Sequence, residues 1–169
     1  SIYLNDVHFA LGTILEKEGD YQRAYEHLLT VNPHELPYSR IGEYYYRTGH
    51  AAYQNGDEDK AYSYFQNCTT DPAYAPHATY YKAYIDYTRG DLDAAKSGFA
   101  SIAELPAYEP IIPFYLLQIE FRQGNYAYVV EHGVPLLNKA TGAREIEIAR
   151  IMSEAYFRQG QYADALAQI

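Results

Sequence analysis

Gly56-Asp57-Glu58-Asp59-Lys60-Ala61 is the clearest of five related stretches in this chain of 169 residues. Its counterparts are Gly19-Asp20-Tyr21-Gln22-Arg23-Ala24, Gly90-Asp91-Leu92-Asp93-Ala94-Ala95, Gly124-Asn125-Tyr126-Ala127-Tyr128-Val129 and Gly160-Gln161-Tyr162-Ala163-Asp164-Ala165. The glycines recur at intervals of 37, 34, 34 and 36 residues, and each separates two segments of helical periodicity. A period near 34 marks stacked helical hairpins, in which each unit packs on its neighbours and no central core is required.

Within a unit, glycine supplies the left-handed backbone that ends one helix, and the Asp or Asn after it caps the next. Gln161 is the weak copy of that cap. Five residues after the glycines stand Ala24, Ala61, Ala95, Val129 and Ala165; seven before them stand Gly12, Gly49, Ala83, Leu117 and Ser153. Small side chains on facing helices predict tight antiparallel hairpins. Nine residues after the glycine, Leu28, Phe65 and Phe99 are suited to filling the gap toward the following unit, whereas Gly133 marks the fourth repeat as irregular. Prolines fall after the second helices, where the chain stops and restarts, except that Pro135 is expected to kink or shorten the helix around it.

The expected fold class is therefore all-α, an α-solenoid of about five helix-turn-helix repeats with no strand. Helices are predicted over 3–18, 21–31, 38–54, 58–69, 74–88, 92–103, 109–123, 126–138, 143–159 and 162–169. They form one solenoid domain over 1–169, with repeats at about 3–37, 38–73, 74–106, 107–142 and 143–169. Both ends lie inside helical patterns without a polar capping segment, so an excerpt of a longer protein is expected, because terminal repeats carry a polar outer face.

Lys and Arg number 13 against 22 Asp and Glu, a formal charge of −9 that repels phosphate backbones and argues against nucleic-acid binding. No apolar run approaches the roughly 20 residues of a spanning helix, so no transmembrane segment is expected in this stretch. Cys68 stands alone, which rules out an internal disulfide framework and a thiol cluster for zinc. Asn67-Cys68-Thr69 matches a glycosylation acceptor pattern by chance more readily than by function, since it falls in a predicted helix. Glu58 and Asp59 fail the spacing of a calcium loop and are better explained as first-turn acids that complement the helix dipole.

His8, His27, His34, His50, His77 and His132 form no two-histidine helical motif, and neither a phosphate loop nor a nucleophile elbow occurs. No catalytic residue, metal ligand or cofactor is therefore expected. A carboxylate pair for glycoside hydrolysis has no sequence signature, and the absence of Trp weakens a carbohydrate role.

The columns of Gly, Asp or Asn, Tyr and Ala, with small residues seven before the glycine, resemble the tetratricopeptide repeat over nearly the whole chain. The family's frequent Trp in the first helix is missing, and Val129 and Gly133 depart from the usual Ala and aromatic. The stretch Asp71-Pro72-Ala73-Tyr74-Ala75-Pro76-His77-Ala78-Thr79-Tyr80-Tyr81 also looks like the junctions of bacterial cell-envelope members, including outer-membrane assembly lipoproteins and Tol-Pal coordinators. The resemblance implies a right-handed superhelix whose first helices line a concave groove for peptides or partner proteins. It implies a non-catalytic scaffold, and a periplasmic or outer-membrane-associated setting over a cytoplasmic one.

Helical spacing places residues ten, six, three and two before each glycine on one inner stripe. That stripe holds Tyr46, His50, Tyr53 and Gln54; Tyr80, Tyr84, Tyr87 and Thr88; Phe114, Gln118, Phe121 and Arg122; and Arg150, Glu154, Phe157 and Arg158. Tyrosines at such spacing serve either as packing between helices or as anchors for a partner, and both roles stay open here. Grooves that clamp a C-terminal carboxylate resemble one another in presenting Lys and Asn, where this chain has aromatics, His50, Gln118 and Glu154. An apolar and basic segment, extended or helical, suits the stripe better. The alternative is a glycan-binding outer-membrane protein resembling SusD, also non-catalytic.

Overall fold

The computed structural model describes residues 2–167, and among them there are ten α-helices, one short 3-10 helix and no strand. The chain divides between Arg89 and Gly90 into two compact units. The first contains α1 (Ile2–Glu18), α2 (Tyr21–Leu29), α3 (Tyr38–Gln54), α4 (Glu58–Gln66) and α5 (Ala75–Arg89). The second contains α6 (Leu92–Ile102), α7 (Ile112–Arg122), α8 (Tyr126–Leu137), α9 (Ala143–Arg158) and α10 (Tyr162–Ala167).

Helix boundaries follow from local chemistry. At Gly56 φ is +82°, and the bonds Gly56 N–H to Tyr53 O and Asp57 N–H to Ala52 O close α3 in the manner of a Schellman turn. The same pair of bonds closes α1, α7 and α9. Asp20, Asp57, Asp91 and Asn125 then cap the following helices, each side chain accepting from the backbone N–H three residues on.

In the first unit α1 packs on α2, α3 on α4, and each hairpin on the helix that follows it. Close approach comes from the two small columns. A Cβ built on Gly12 would lie 2.6 Å from Leu28 Cγ and 3.2 Å from the Ala24 carbonyl oxygen. One on Gly49 would lie 2.8 Å from the Phe65 ring. The residue nine after the glycine thus seats on the glycine seven before it, within one hairpin. Phe65 also faces forward, with the Tyr81 ring stacked on it at 5.5 Å. In the second unit Tyr115 stacks on Phe99 in the same way at 4.9 Å.

The fourth repeat is compensated, and the expected irregularity is an exchange of volumes. Leu117 is fully buried where other repeats are small, and Gly133 is small where they are large. Met152 of α9 occupies the space, since a Cβ on Gly133 would meet its Cγ and Sδ at 2.7 Å. Pro135 does not shorten α8, which runs on to Leu137. Its missing donor would have bonded Glu131, and both residues lie on the exposed side, where water reaches the freed carbonyl.

The repeat junctions are fixed by polar contacts. Asn5 and Asn32 exchange two bonds, Asn5 Nδ2 donating to Asn32 O at 3.1 Å and Asn32 N–H to Asn5 Oδ1 at 2.7 Å. After Asn32 comes a 3-10 turn at Pro33–Glu35 where the sequence suggested only a break. Asp71 accepts from the backbone N–H of Ala73 and Tyr74, and its side chain fills the space that a Cβ on Gly42 would need. Helix α7 starts at Ile112, three residues later than the predicted 109, with Pro113 in the first turn, where its missing N–H costs nothing.

Two substitutions test this packing. Ala61→Leu is expected to destabilise the chain by about 1–3 kcal/mol through overpacking in urea unfolding; an unchanged midpoint would refute the small-column account. Gly133→Ala should cost a comparable amount, about 1–3 kcal/mol, and less when combined with Met152→Ala. Strict additivity of the two changes would show that Gly133 and Met152 do not share one volume.

Candidate functional site

The sixteen stripe residues fall eight to each unit. In the first, α3 and α5 set Tyr46, His50, Tyr53, Tyr80, Tyr84 and Tyr87 at helical spacing, and every one of them is partly buried. Tyr46 lies parallel to His50 at 5.8 Å and within 6.5 Å of Phe65, Tyr74, His77 and Tyr81. Tyr53 lies 5.1 Å from Tyr81. Tyr46, His50 and Tyr53 therefore share one aromatic cluster, whose hub is Tyr81.

Beneath that cluster sits a set of ions. Glu16 and Arg47 are only 7% and 8% exposed, and Glu16 places one oxygen 2.5 Å from Arg47 Nη1 and the other 2.5 Å from His50 Nδ1. Arg47 Nε donates to Glu43 at 2.8 Å, and Nη2 reaches the Tyr74 hydroxyl at 3.5 Å. On the other side of the ring, His50 Nε2 lies 3.2 Å from the Gln54 side-chain amide. Burial works to raise the Glu16 pKa, but the hydrogen bonds and charges of His50 and Arg47 hold it below the ordinary carboxylate value. Burial likewise opposes the Arg47 charge, which the bond to Glu43 and the nearby Glu16 and Glu43 charges more than restore.

Tyr80, Tyr84 and Tyr87 form a ladder along α5. Tyr80 and Tyr84 stack at 6.4 Å with an 18° interplanar angle, and Tyr87 follows Tyr84 at 6.4 Å.

In the second unit the stripe residues are tied to neighbours more by charge. Arg144 lies over Phe114 at 5.1 Å, and Arg150 over Phe121 at 5.8 Å. Arg150 donates twice to Glu147, at 2.8 and 2.9 Å, and that bond holds the Glu147 pKa low with the Gln118 amide adding to it. Glu154 accepts from Arg158 at 2.7 Å. Arg122 is exposed at the end of α7. The arginines at the C-terminal end of the stripe are thus mostly engaged with carboxylates of their own helix.

Glu16 stands in the stripe's own register, three before Gly19 in the first repeat, which was not read out, whereas Glu43, Arg47 and Tyr81 lie outside that register. Arg47, Tyr81 and Tyr115 share the column nine before the glycine, so a signal existed in the period itself. Cys68 is buried, donates to Gly42 O, and has its pKa pushed to about 11 by burial and then by the Asp71 charge, as for an inert thiol.

Lowered in the folded state, the Glu16 pKa contributes stability that is present above its unfolded value and lost as pH falls through the folded one. Acid unfolding below about pH 4.5 should therefore be less steep in Glu16→Gln than in the parent chain. At neutral pH that change leaves Arg47 buried with one partner fewer and should cost about 3–5 kcal/mol. Parallel pH profiles by circular dichroism would refute the assignment.

No protein-family model matches the chain, and no curated protein sequence matches it. Solved structures do. MamA AMB-1 is similar with a TM-score of 0.80 at 16% identity, over 97% of this chain and 87% of that one. Another MamA structure gives 0.76 at 14% identity, over 98% and 87%. A Podosopora anserina putative kinesin light chain with nearly identical TPR-like repeats gives 0.64 at 14% identity, over 96% and 90%. Likeness at such low identity is likeness of fold, and it agrees with the hairpins, hinge glycines and small columns described above: the chain has the tetratricopeptide-repeat fold.

Proposed function

We propose that the chain is a non-catalytic scaffold for protein interaction that holds a partner segment on the aromatic faces of its first helices. The observation that carries this is the ladder of Tyr80, Tyr84 and Tyr87 on α5. Three partly buried tyrosines one turn apart offer rigid apolar area with hydroxyls for hydrogen bonding, the chemistry that concentrates binding energy at interfaces. Tyr46 and Tyr53 pack around Tyr81, and Tyr80 joins the ladder to that cluster, its ring 5.5 Å from the Tyr81 ring.

The formal charge of −9 favours a partner segment that combines apolar with basic residues. The repeat fold supports a scaffold role, since such arrays bind along the faces of stacked helices. A bacterial cell-envelope setting belongs to the same proposal, carried by the resemblance of the stretch from Asp71 to Tyr81.

Peptides selected from a displayed random library are expected to be rich in apolar and basic residues. Tyr84→Ala should weaken their binding by about 1–3 kcal/mol in fluorescence anisotropy, with little change in Tm. A lowered Tm with unchanged affinity would make Tyr84 a packing residue. Saturable binding of soluble oligosaccharides at the tyrosines, with no peptide selected, would replace this proposal with the glycan one.

A further inference from the structure

The geometry points to a second binding site, wholly within the second unit, for a peptide segment in which an acidic side chain is flanked by large apolar residues. A cleft of about 720 Å³ opens between the loop before α7, the end of α8 and the start of α9. That volume lies in the range of sites that enclose a small ligand or a few side chains. Its walls include Pro113, Phe114, Leu136 and Ile148. Its charged groups are Lys139 and Arg144 against the single carboxylate of Glu109.

These two cations differ from most others in the chain. Arg47, Lys60, Lys82, Arg89, Lys96, Arg150 and Arg158 each stand within 4.0 Å of a carboxylate. Among the described residues, Lys139 and Arg144 pair with none. Arg144 is nevertheless held in place. Its Nη1 donates to the Pro110 carbonyl at 3.2 Å, and its guanidinium lies 5.1 Å from the Phe114 ring centroid. A guanidinium carries five N–H donors in a planar fork that matches a carboxylate, and the Pro110 bond uses one of them.

An acidic chain thus concentrates an unneutralised excess of positive charge at the rim of an apolar cleft. Charge complementarity selects an anion, and the planar fork selects a carboxylate that can accept two bonds. The apolar walls select neighbours that bury hydrocarbon. An Asp or Glu between large apolar residues meets all three requirements. This site is independent of the tyrosine ladder, which lies in the other unit and favours basic segments, so either can fail alone.

The test is an NMR titration of the ¹⁵N-labelled chain with the capped peptide acetyl-Ala-Leu-Glu-Phe-Leu-Ala-amide and with its Gln counterpart. Saturable amide shifts are expected around residues 139–148 with the Glu peptide, and about tenfold weaker binding with the Gln peptide. Arg144→Gln should lose affinity for the Glu peptide by a similar factor. Arg144→Lys should fall between, and Lys139→Gln should give a smaller loss with the spectrum of the folded chain retained. Tyr84→Ala should leave this binding unchanged. Equal binding of the two peptides, shifts centred elsewhere, no saturable shift, or full affinity in both Arg144→Gln and Lys139→Gln would each overturn the proposal.

Discussion

How closely two helices of a hairpin can approach governs most of what this chain does. Gly12 and Gly49 let the second helix come near enough that even one methyl group would collide with Leu28 or Phe65. Protein interiors pack at crystal-like density, so such a distance is not continuously adjustable. A change on one helix must be matched on another. The fourth repeat shows this: Leu117 is large where the column is small, Gly133 is small where it is large, and Met152 from the next helix takes up the volume. What looked irregular in one column is conserved volume across three.

The same seats determine how one hairpin meets the next. Phe65 and Phe99 each receive a stacked tyrosine from the following first helix, Tyr81 and Tyr115. At the first junction the seat holds Leu28, and Arg47 stands in the tyrosine's column. Arg47 turns to Glu16 and Glu43 instead. Burying those ions costs desolvation, so their net contribution to stability is small even though removing one partner is costly. Their geometric effect is larger, because only one register of α3 against α1 brings Arg47 and His50 onto the two oxygens of Glu16 at once.

Periodic chemistry was legible in the sequence. Asp20, Asp57, Asp91 and Asn125 cap helices because an Asx side chain after a hinge glycine has few alternatives, and ten helices emerged close to their expected places. Effects that depend on the surroundings of one residue were less legible. Pro135 was expected to kink or shorten its helix, yet α8 runs on to Leu137, and the position of Pro135 on the wet side relieves the lost bond. Of the stripe, the spacing of Tyr80, Tyr84 and Tyr87 could be read directly, because one helix carries all three. The Glu16–Arg47–His50 set could not, since residues 31 and 34 apart meet only after α1 and α3 lie side by side. The pairing of Arg150 with Glu147 at i, i+3, by contrast, is of the kind that helical spacing alone makes available.

A repeat array constrains its packing columns and leaves its remaining positions to vary, and that asymmetry decides where recognition can reside. Residues seven before, five after and nine after the glycine must conserve volume, so they carry no information about a partner. The residues beside them carry no such obligation. On α5 they became three tyrosines at helical spacing; between the end of α8 and the start of α9, five residues apart, they became Lys139 and Arg144 beside a cleft. At the cleft the separation is incomplete: Phe114, Leu136 and Ile148 line it and also pack in the core of the second unit, so there the charged pair Lys139 and Arg144 is what the framework leaves free to vary.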